Sequence, residues 1–451
     1  MVVLLVSAML ERRRRLRHAF LLAASYLFYA AWNEKLIVLI LASTWLDFFV
    51  GSAIDRARDP WRRRLLLVSL VGNLGILGLF KYYDFFASSL GRLLSAAGLD
   101  LSPTLLHLTL PVGISFYTFQ TLSYTLAIYR REIRPTSDWL HFSLFVAFFP
   151  QLVAGPIVRA SQFLPQLEAD DEKGADAAAT GTGLFRLLRG LSKKALLADP
   201  LAVALVDPVF ASPESADLTA VIIAGIAFRF QIYLDFSGYS DIAIGCGRLL
   251  GFTLPENFRA PYKAASIGEF WGRWHLTLGS WFRDYVYLPL GGSRRGELRA
   301  HANLWATMAL VGLWHGARWT FLIWGLYYAV LLSLERLTRH RWRMPRTLGV
   351  VVTFALGCVA GVIFRSDSLG QLTALAAALQ RSDTLSPASG WAFALLLVAA
   401  VSHFVPRTSS ERIERSFARL AATAQAAVCL AVVIAIYLAS AEARPFYYFQ
   451  F

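Results

Sequence analysis

Charge is scarce in this chain. Only 16% of its 451 residues are Asp, Glu, Lys or Arg, whereas a soluble domain carries about 25%. So few charges cannot cover a water-facing surface, and 56% of the residues are hydrophobic. Cysteine is nearly missing as well. Cys246, Cys358 and Cys429 stand alone within or beside apolar runs. Isolated thiols suggest no disulfide framework and give no metal-ligand spacing. No Gly-x-Ser-x-Gly elbow and no Gly-Lys-Ser phosphate loop occurs, so those two routes to catalysis have no support. The alternating segments of about ten residues that build a membrane β-barrel are absent too.

What is present is a series of apolar runs from Ala19 to Ser440. A helix needs about 20 apolar residues to cross a bilayer, so the pattern predicts an all-α polytopic membrane protein. The net charge of +14 does not point to nucleic acid. The cations fall in short clusters between the apolar runs, which marks cytoplasmic loops. Part of the excess suits anionic lipid headgroups.

Met1–Leu10 is too short to span. Its apolar stretch precedes Arg12–Arg17, the reverse of a secretory signal peptide. His18–Trp32 and Leu36–Ile54 form a helical pair between two basic clusters. Leu65–Phe86 crosses outward and Ser88–Pro103 forms an external loop. Thr104–Tyr129 returns, broken by Pro111 and Gly113. Trp139–Val158 carries Pro150, Gly155 and Pro156, so a bent or re-entrant segment is expected. Gln166–Gly183 is a polar surface linker. Leu184–Ala198 reads as an amphipathic helix on the cytoplasmic leaflet. Leu218–Phe252 is apolar but holds Arg229, Asp235, Asp241 and Arg248, so these charges must pair. The two aspartates are six apart, off a shared helical face, and read as partners for Arg229 or Arg248. Asn257–Gly292 is too charged and aromatic for lipid and suits short helices at the cytoplasmic surface. Asn303–Glu335 is a long span, followed by Leu348–Phe364, Trp391–Val405 and Ala421–Ser440. The C-terminal FYYFQF is left outside. Hydropathy thus gives about ten to twelve membrane segments, re-entrant pieces included. No internal repeat of the transporter kind is found.

His315 lies in Trp314-His315-Gly316, roughly 18 Å along a helix from Asn303. An ionisable group at that depth is a functional hypothesis by default; its bland alternative is a hydrogen bond between helices. His275 lies upstream in Arg273-Trp274-His275. His18, His301 and His340 sit in basic clusters, and His107, His141 and His403 near segment ends, where snorkelling explains them. Two distant histidines do not make a zinc site. A buried neutral imidazole does suit a general base near pH 7. It can take a proton from a hydroxyl that attacks a thioester. Arg259, Lys263 and Arg273 would attract the phosphates of a nucleotide-bearing thioester, or simply lipid headgroups.

Five ordered motifs carry a resemblance. They are PVGISFYTFQTLSY (Pro111–Tyr124), FFPQLVAGPIVR (Phe148–Arg159), YLDFSGYSDIAIGCGRLLGF (Tyr233–Phe252), FWGRWHLTLGSWFRDYVYLPLGG (Phe270–Gly292) and GLWHGARWTFLIWGLYY (Gly312–Tyr328). Together with the closing FYYFQF they resemble the membrane-bound O-acyltransferases, and within them the bacterial alginate O-acetyltransferase branch. The resemblance spans nearly all of residues 19–451. It implies one catalytic membrane domain over 1–451. Its parts would be a stub at 1–18, helices at 19–165, a polar loop at 166–183, a core at 184–335 and closing helices at 336–451. It implies helices around a central tunnel with His315 at its narrow point and His275 beside it. It implies acetyl transfer from acetyl-CoA, with no permanently bound cofactor or metal, towards an exported polysaccharide. An extracytoplasmic acetyl-accepting or esterase-like protein is implied as partner, in a bacterial inner membrane. Asn257, Arg273, Arg283 and Asp284 are candidates to hold the donor or orient the loop. Family members usually begin with a full membrane segment, whereas Met1–Leu10 is a stub. The rivals are a teichoic-acid D-alanyl transferase, which Tyr287–Gly292 disfavours, and a non-catalytic glycan-export or transport subunit.

Overall fold

A computed structural model describes residues 2–99, 103–169, 177–338, 344–381, 390–439 and 446–447. Among these residues there are helices and turns but no strand. Six helices are long and apolar enough to cross a membrane, or seven if Gly390–Phe404 and Arg407–Ala418, bent by 91°, count as one. The hydropathy reading is higher because it also counts short apolar pieces. Arg14–Ala30 has 17 residues, Ile114–Tyr129 has 16 and Trp139–Ala147 has 9. At about 1.5 Å per residue, each falls short of a hydrocarbon core about 30 Å thick.

The chain divides into two compact units. The first comprises Met1–Thr180 with Cys246–Pro255. Its expected interruptions are present. Gly113 adopts φ +74, a conformation open to glycine, and the next helix starts only at Ile114. The Trp139–Ala147 helix stops before Phe149-Pro150, and a short turn Phe149–Leu152 follows. The expected external loop after Phe86 is instead helical as far as Ala96, past a π-turn at Gly78–Tyr82. The apolar helices of this unit enclose a polar lattice. Asp47 accepts from Ser69 at 2.6 Å and Asn73 at 2.9 Å, and all three are buried. His18 and His141, expected to be solvated or snorkelling, meet at 3.2 Å.

The second unit comprises Gly181–Gly245 and Glu256–Phe451. Here the leaflet-bound helix is corrected. The basic residues after Leu184 turn inward onto the Leu218–Leu249 helix, where Gly190 and Gly238 let the two backbones touch. Asp241 takes Arg186 at 2.9 Å, Arg189 at 2.7 Å and Lys193 at 2.8 Å. Asp235 takes Lys194 at 2.6 Å. The aspartates therefore pair with another helix, not with Arg229 or Arg248 of their own. Arg229 lies six residues from Asp235 and Arg248 seven from Asp241, about 9 and 10.5 Å along the same helix axis, whereas the cations of the packed neighbour arrive laterally. The linker's 170–176 lie outside the described residues, and a helix is already in place from Ala177. Of FYYFQF only Phe446 and Tyr447 are described; Tyr447 is buried and its N–H donates to Asp235 at 2.9 Å.

Candidate active site

The site grows from a helical hairpin in the second unit. Asn303–Glu335 is not one span. Glu297–His315 ends at the histidine, and a new helix runs from Trp319 to Thr338. The pair is antiparallel. Trp305 donates to Ser333, and Arg336 reaches back to Glu297 at 2.6 Å. The arms meet at glycines. A methyl at Gly312 would strike the Phe321 carbonyl, and one at Gly325 the Met308 carbonyl. Close backbone approach of this kind is how small residues bind membrane helices together. Gly316 is needed for a related reason: a Cβ there would enter the Phe321 ring. His315 therefore sits at a turn, not in mid-helix.

Rings wall His315 in. Trp324 lies at 5.0 Å between centroids, Trp314 at 5.1 Å and Phe364 at 5.3 Å, all edge-on. The histidine is 4% exposed. Phe364 comes from the Arg346–Arg365 helix, so three helices define the box.

His275 arrives from the Asn257–Gly292 segment, which forms short helices as expected, Ile267–Trp271 and Leu276–Phe282. Two backbone bonds clamp the segment onto itself. Arg259 N–H donates to Arg273 at 2.9 Å, and Leu276 N–H to Asn257 at 3.0 Å. This clamp leaves His275 at φ 43, a left-handed conformation that costs an L-residue about 1–2 kcal/mol. Such strain persists where the surroundings over-determine it, often at functional sites. His275 is fully buried, with Phe236 edge-on at 4.7 Å and Trp314 at 5.8 Å. The two histidines thus flank one indole, that of Trp314.

Hydrogen bonding assigns the His275 tautomer. Asn257 Oδ1 accepts from the Thr277 N–H at 3.3 Å and the Thr277 hydroxyl at 3.0 Å. That atom is therefore the amide oxygen. His275 Nδ1, 3.0 Å from it, must donate, which leaves the lone pair on Nε2. Burial pushes the His275 pKa down to about 3, so the ring is neutral at neutral pH.

The other sequence candidates separate. Asn257 is fully buried and serves His275 and Thr277, with Ser240 at 3.4 Å. Arg273 is engaged on Glu269 at 2.8 Å and on the Arg259 carbonyl at 3.1 Å. Arg283 pairs with its neighbour Asp284 at 2.7 Å and remains largely exposed. Lys263 reaches the carbonyls of Phe404 and Val405. Of these candidates Asn257 is joined directly to His275. Sequence reasoning missed Trp324, Phe364 and Thr277, since only the fold gathers them; the density of Trp in 271–324 was the available signal. Among the described residues no group of three His, Cys, Asp or Glu is placed to hold a metal.

The family profile of the membrane-bound O-acyltransferases matches residues 24–365, which include both histidines. A probable alginate O-acetylase, AlgI, of Pseudomonas aeruginosa is 39% identical over 361 residues, 79% of this chain and 68% of that protein. A peptidoglycan O-acetyltransferase of Helicobacter pylori is 37% identical over 380 residues, 78% of this chain and 71% of that protein. A teichoic acid D-alanyltransferase of Bacillus subtilis is 25% identical over 269 residues, 56% of this chain and 68% of that protein.

Proposed function

The chain belongs to the membrane-bound O-acyltransferase family, and on that premise we propose that it moves acetyl groups from cytoplasmic acetyl-CoA to an exported polysaccharide. It is a multi-pass membrane O-acyltransferase. The relatives named for alginate and peptidoglycan O-acetylation support acetyl as the group and a polysaccharide as the acceptor class. The membrane is then the bacterial inner membrane. The acetyl group reaches the polysaccharide directly or through an extracytoplasmic acetyl-accepting or esterase-like protein.

One observation carries this reading: two buried imidazoles on either side of Trp314. In the proposed step His315 takes the proton of an acceptor hydroxyl. The freed oxygen pair attacks the thioester carbonyl, the C–O bond forms, and the C–S bond breaks. The departing thiolate then takes the proton from the imidazolium, so the ring is regenerated. A thiolate leaves readily, so one base suffices. His275, with its lone pair on Nε2 and Nδ1 anchored on Asn257, supports the site as an oriented polar group. The aromatic walls exclude water, which would otherwise hydrolyse the thioester and screen the charges. Arg273 and Arg283 remain on the proposed donor side as surface cations that meet its phosphates, with Asp284 orienting Arg283.

The test is transfer by purified protein in proteoliposomes loaded with acetyl-CoA, with polysaccharide fragments outside. Acetyl ester and free thiol should appear in equal amounts. A protein that uses only an acyl group carried as a thioester on a carrier protein would move it to the D-alanyl branch. Passage of polysaccharide without ester formation would make it an export subunit.

A further inference from the structure

One buried charge in the second unit plays no part in this mechanism. Arg229 stands on the Leu218–Leu249 helix and is 5% exposed. Its guanidinium faces rings: Tyr262 at 4.8 Å, Phe270 at 5.0 Å and Trp274 at 5.7 Å. Two glycines of the Arg346–Arg365 helix clear its space. A Cβ at Gly357 would lie 2.8 Å from Nη2, and one at Gly361 3.1 Å from Cδ. The Tyr262 hydroxyl donates to the backbone carbonyl of Arg229, and the Tyr328 hydroxyl meets its side chain.

Among the described residues no carboxylate pairs with it; its electrostatic neighbours are Tyr262, Tyr328 and Cys358. The contrast with the same helix is informative. Asp241, three turns on, gathers Arg186, Arg189 and Lys193. The buried cations that pack against this helix, Arg186 and Lys194, meet carboxylates, whereas Arg229 is left to ring faces. Those faces return only part of the cost of burying a charge. An intramembrane ionisable residue kept at such a cost points to a function.

The box shares its walls with the site. Phe270 stacks on Tyr328 at 6.0 Å and 4°. Tyr328 meets Trp324 at 5.2 Å, and Trp324 is a wall of His315. On the other flank Trp274 precedes His275, and both rings meet Phe258.

We infer that Arg229 is a positioning residue for acyl transfer: its unpaired charge orders the ring array around His315 and His275. The same charge favours the negative charge that builds on the thioester oxygen and then on sulfur. In a low-dielectric interior such a field reaches across several residues. This inference rests on the acyl-transfer reading above.

The experiment compares Arg229→Met and Arg229→Lys with the full-length parent, by melting in detergent and by kinetics in proteoliposomes. Methionine fills the box with a soft apolar chain suited to aromatic walls. The expected result is that R229M melts at or above the parent, while kcat falls about tenfold or more with KM within about twofold. R229K keeps the charge and should recover most of kcat. Full kcat in R229M overturns the inference, as does R229K no better than R229M. Melting of R229M well below the parent also overturns it, because Arg229 would then be holding the fold. A parent that releases no thiol from acetyl-CoA defeats the donor assignment instead, and the melting comparison still decides whether the charge is unpaired.

Discussion

Asn257→Ala removes one oxygen on which three hydrogen bonds converge, from His275 Nδ1, the Thr277 N–H and the Thr277 hydroxyl. Asn257 is fully buried, so bulk water does not replace the lost acceptor. Each bond contributes about 1 kcal/mol net, so the variant should lose about 3 kcal/mol of stability. The His275 proton also loses its anchor. A bias of about 1.4 kcal/mol between the two tautomers corresponds to about tenfold in rate. We expect acetyl transfer in proteoliposomes to fall about tenfold, with a lower melting temperature in detergent. Asn257→Asp keeps an acceptor oxygen at the same point and should recover part of the rate. An Asn257→Ala protein with parental melting and activity would refute the claim that this amide orients His275.

Two other perturbations test the scaffold. Gly325→Val should separate the hairpin, because its Cβ would enter the Met308 carbonyl; the measurement is loss of activity with a lowered melting temperature, and overpacking at such a contact costs about 1–3 kcal/mol or more. Glu256 gives a pH test. Burial alone would raise its pKa, but the two bonds from Arg186 at 2.8 and 2.7 Å hold it below the usual range. A depressed carboxylate stabilises the fold above its unfolded pKa of about 4.3 and loses that contribution as pH falls through the folded value. The melting difference between parent and Glu256→Gln should therefore be constant near neutral pH and shrink below about pH 4.

Much of this is legible in the sequence. Apolar runs and clustered arginines were enough to place helices in a membrane. Pro111, Gly113 and Pro150 marked real interruptions, since proline and glycine act through the local backbone. Trp314-His315-Gly316 and Trp274-His275 were found as motifs. What failed was lateral. Nothing in a hydropathy window says that Gly312 faces Gly325, so Asn303–Glu335 looked like one span when Gly316 folds it into a hairpin. The cations after Leu184 looked like a lipid-facing stripe, although their carboxylate on the neighbouring helix, Asp241, lies about fifty residues away. The sequence makes Asn257 a candidate to hold the donor or orient the loop; only the left-handed turn at His275 reveals which donor group the amide receives. Hydropathy requires Arg229 to pair, and its pairing with rings is beyond any spacing rule.

The most direct measurement is the rate of acetyl ester formation by His315→Ala against the parent, both folded to the same melting temperature. If His315 is the base, the rate falls by about a hundredfold or more while the protein stays intact. A variant that transfers acetyl groups at the parental rate would show that the boxed imidazole only packs the hairpin turn.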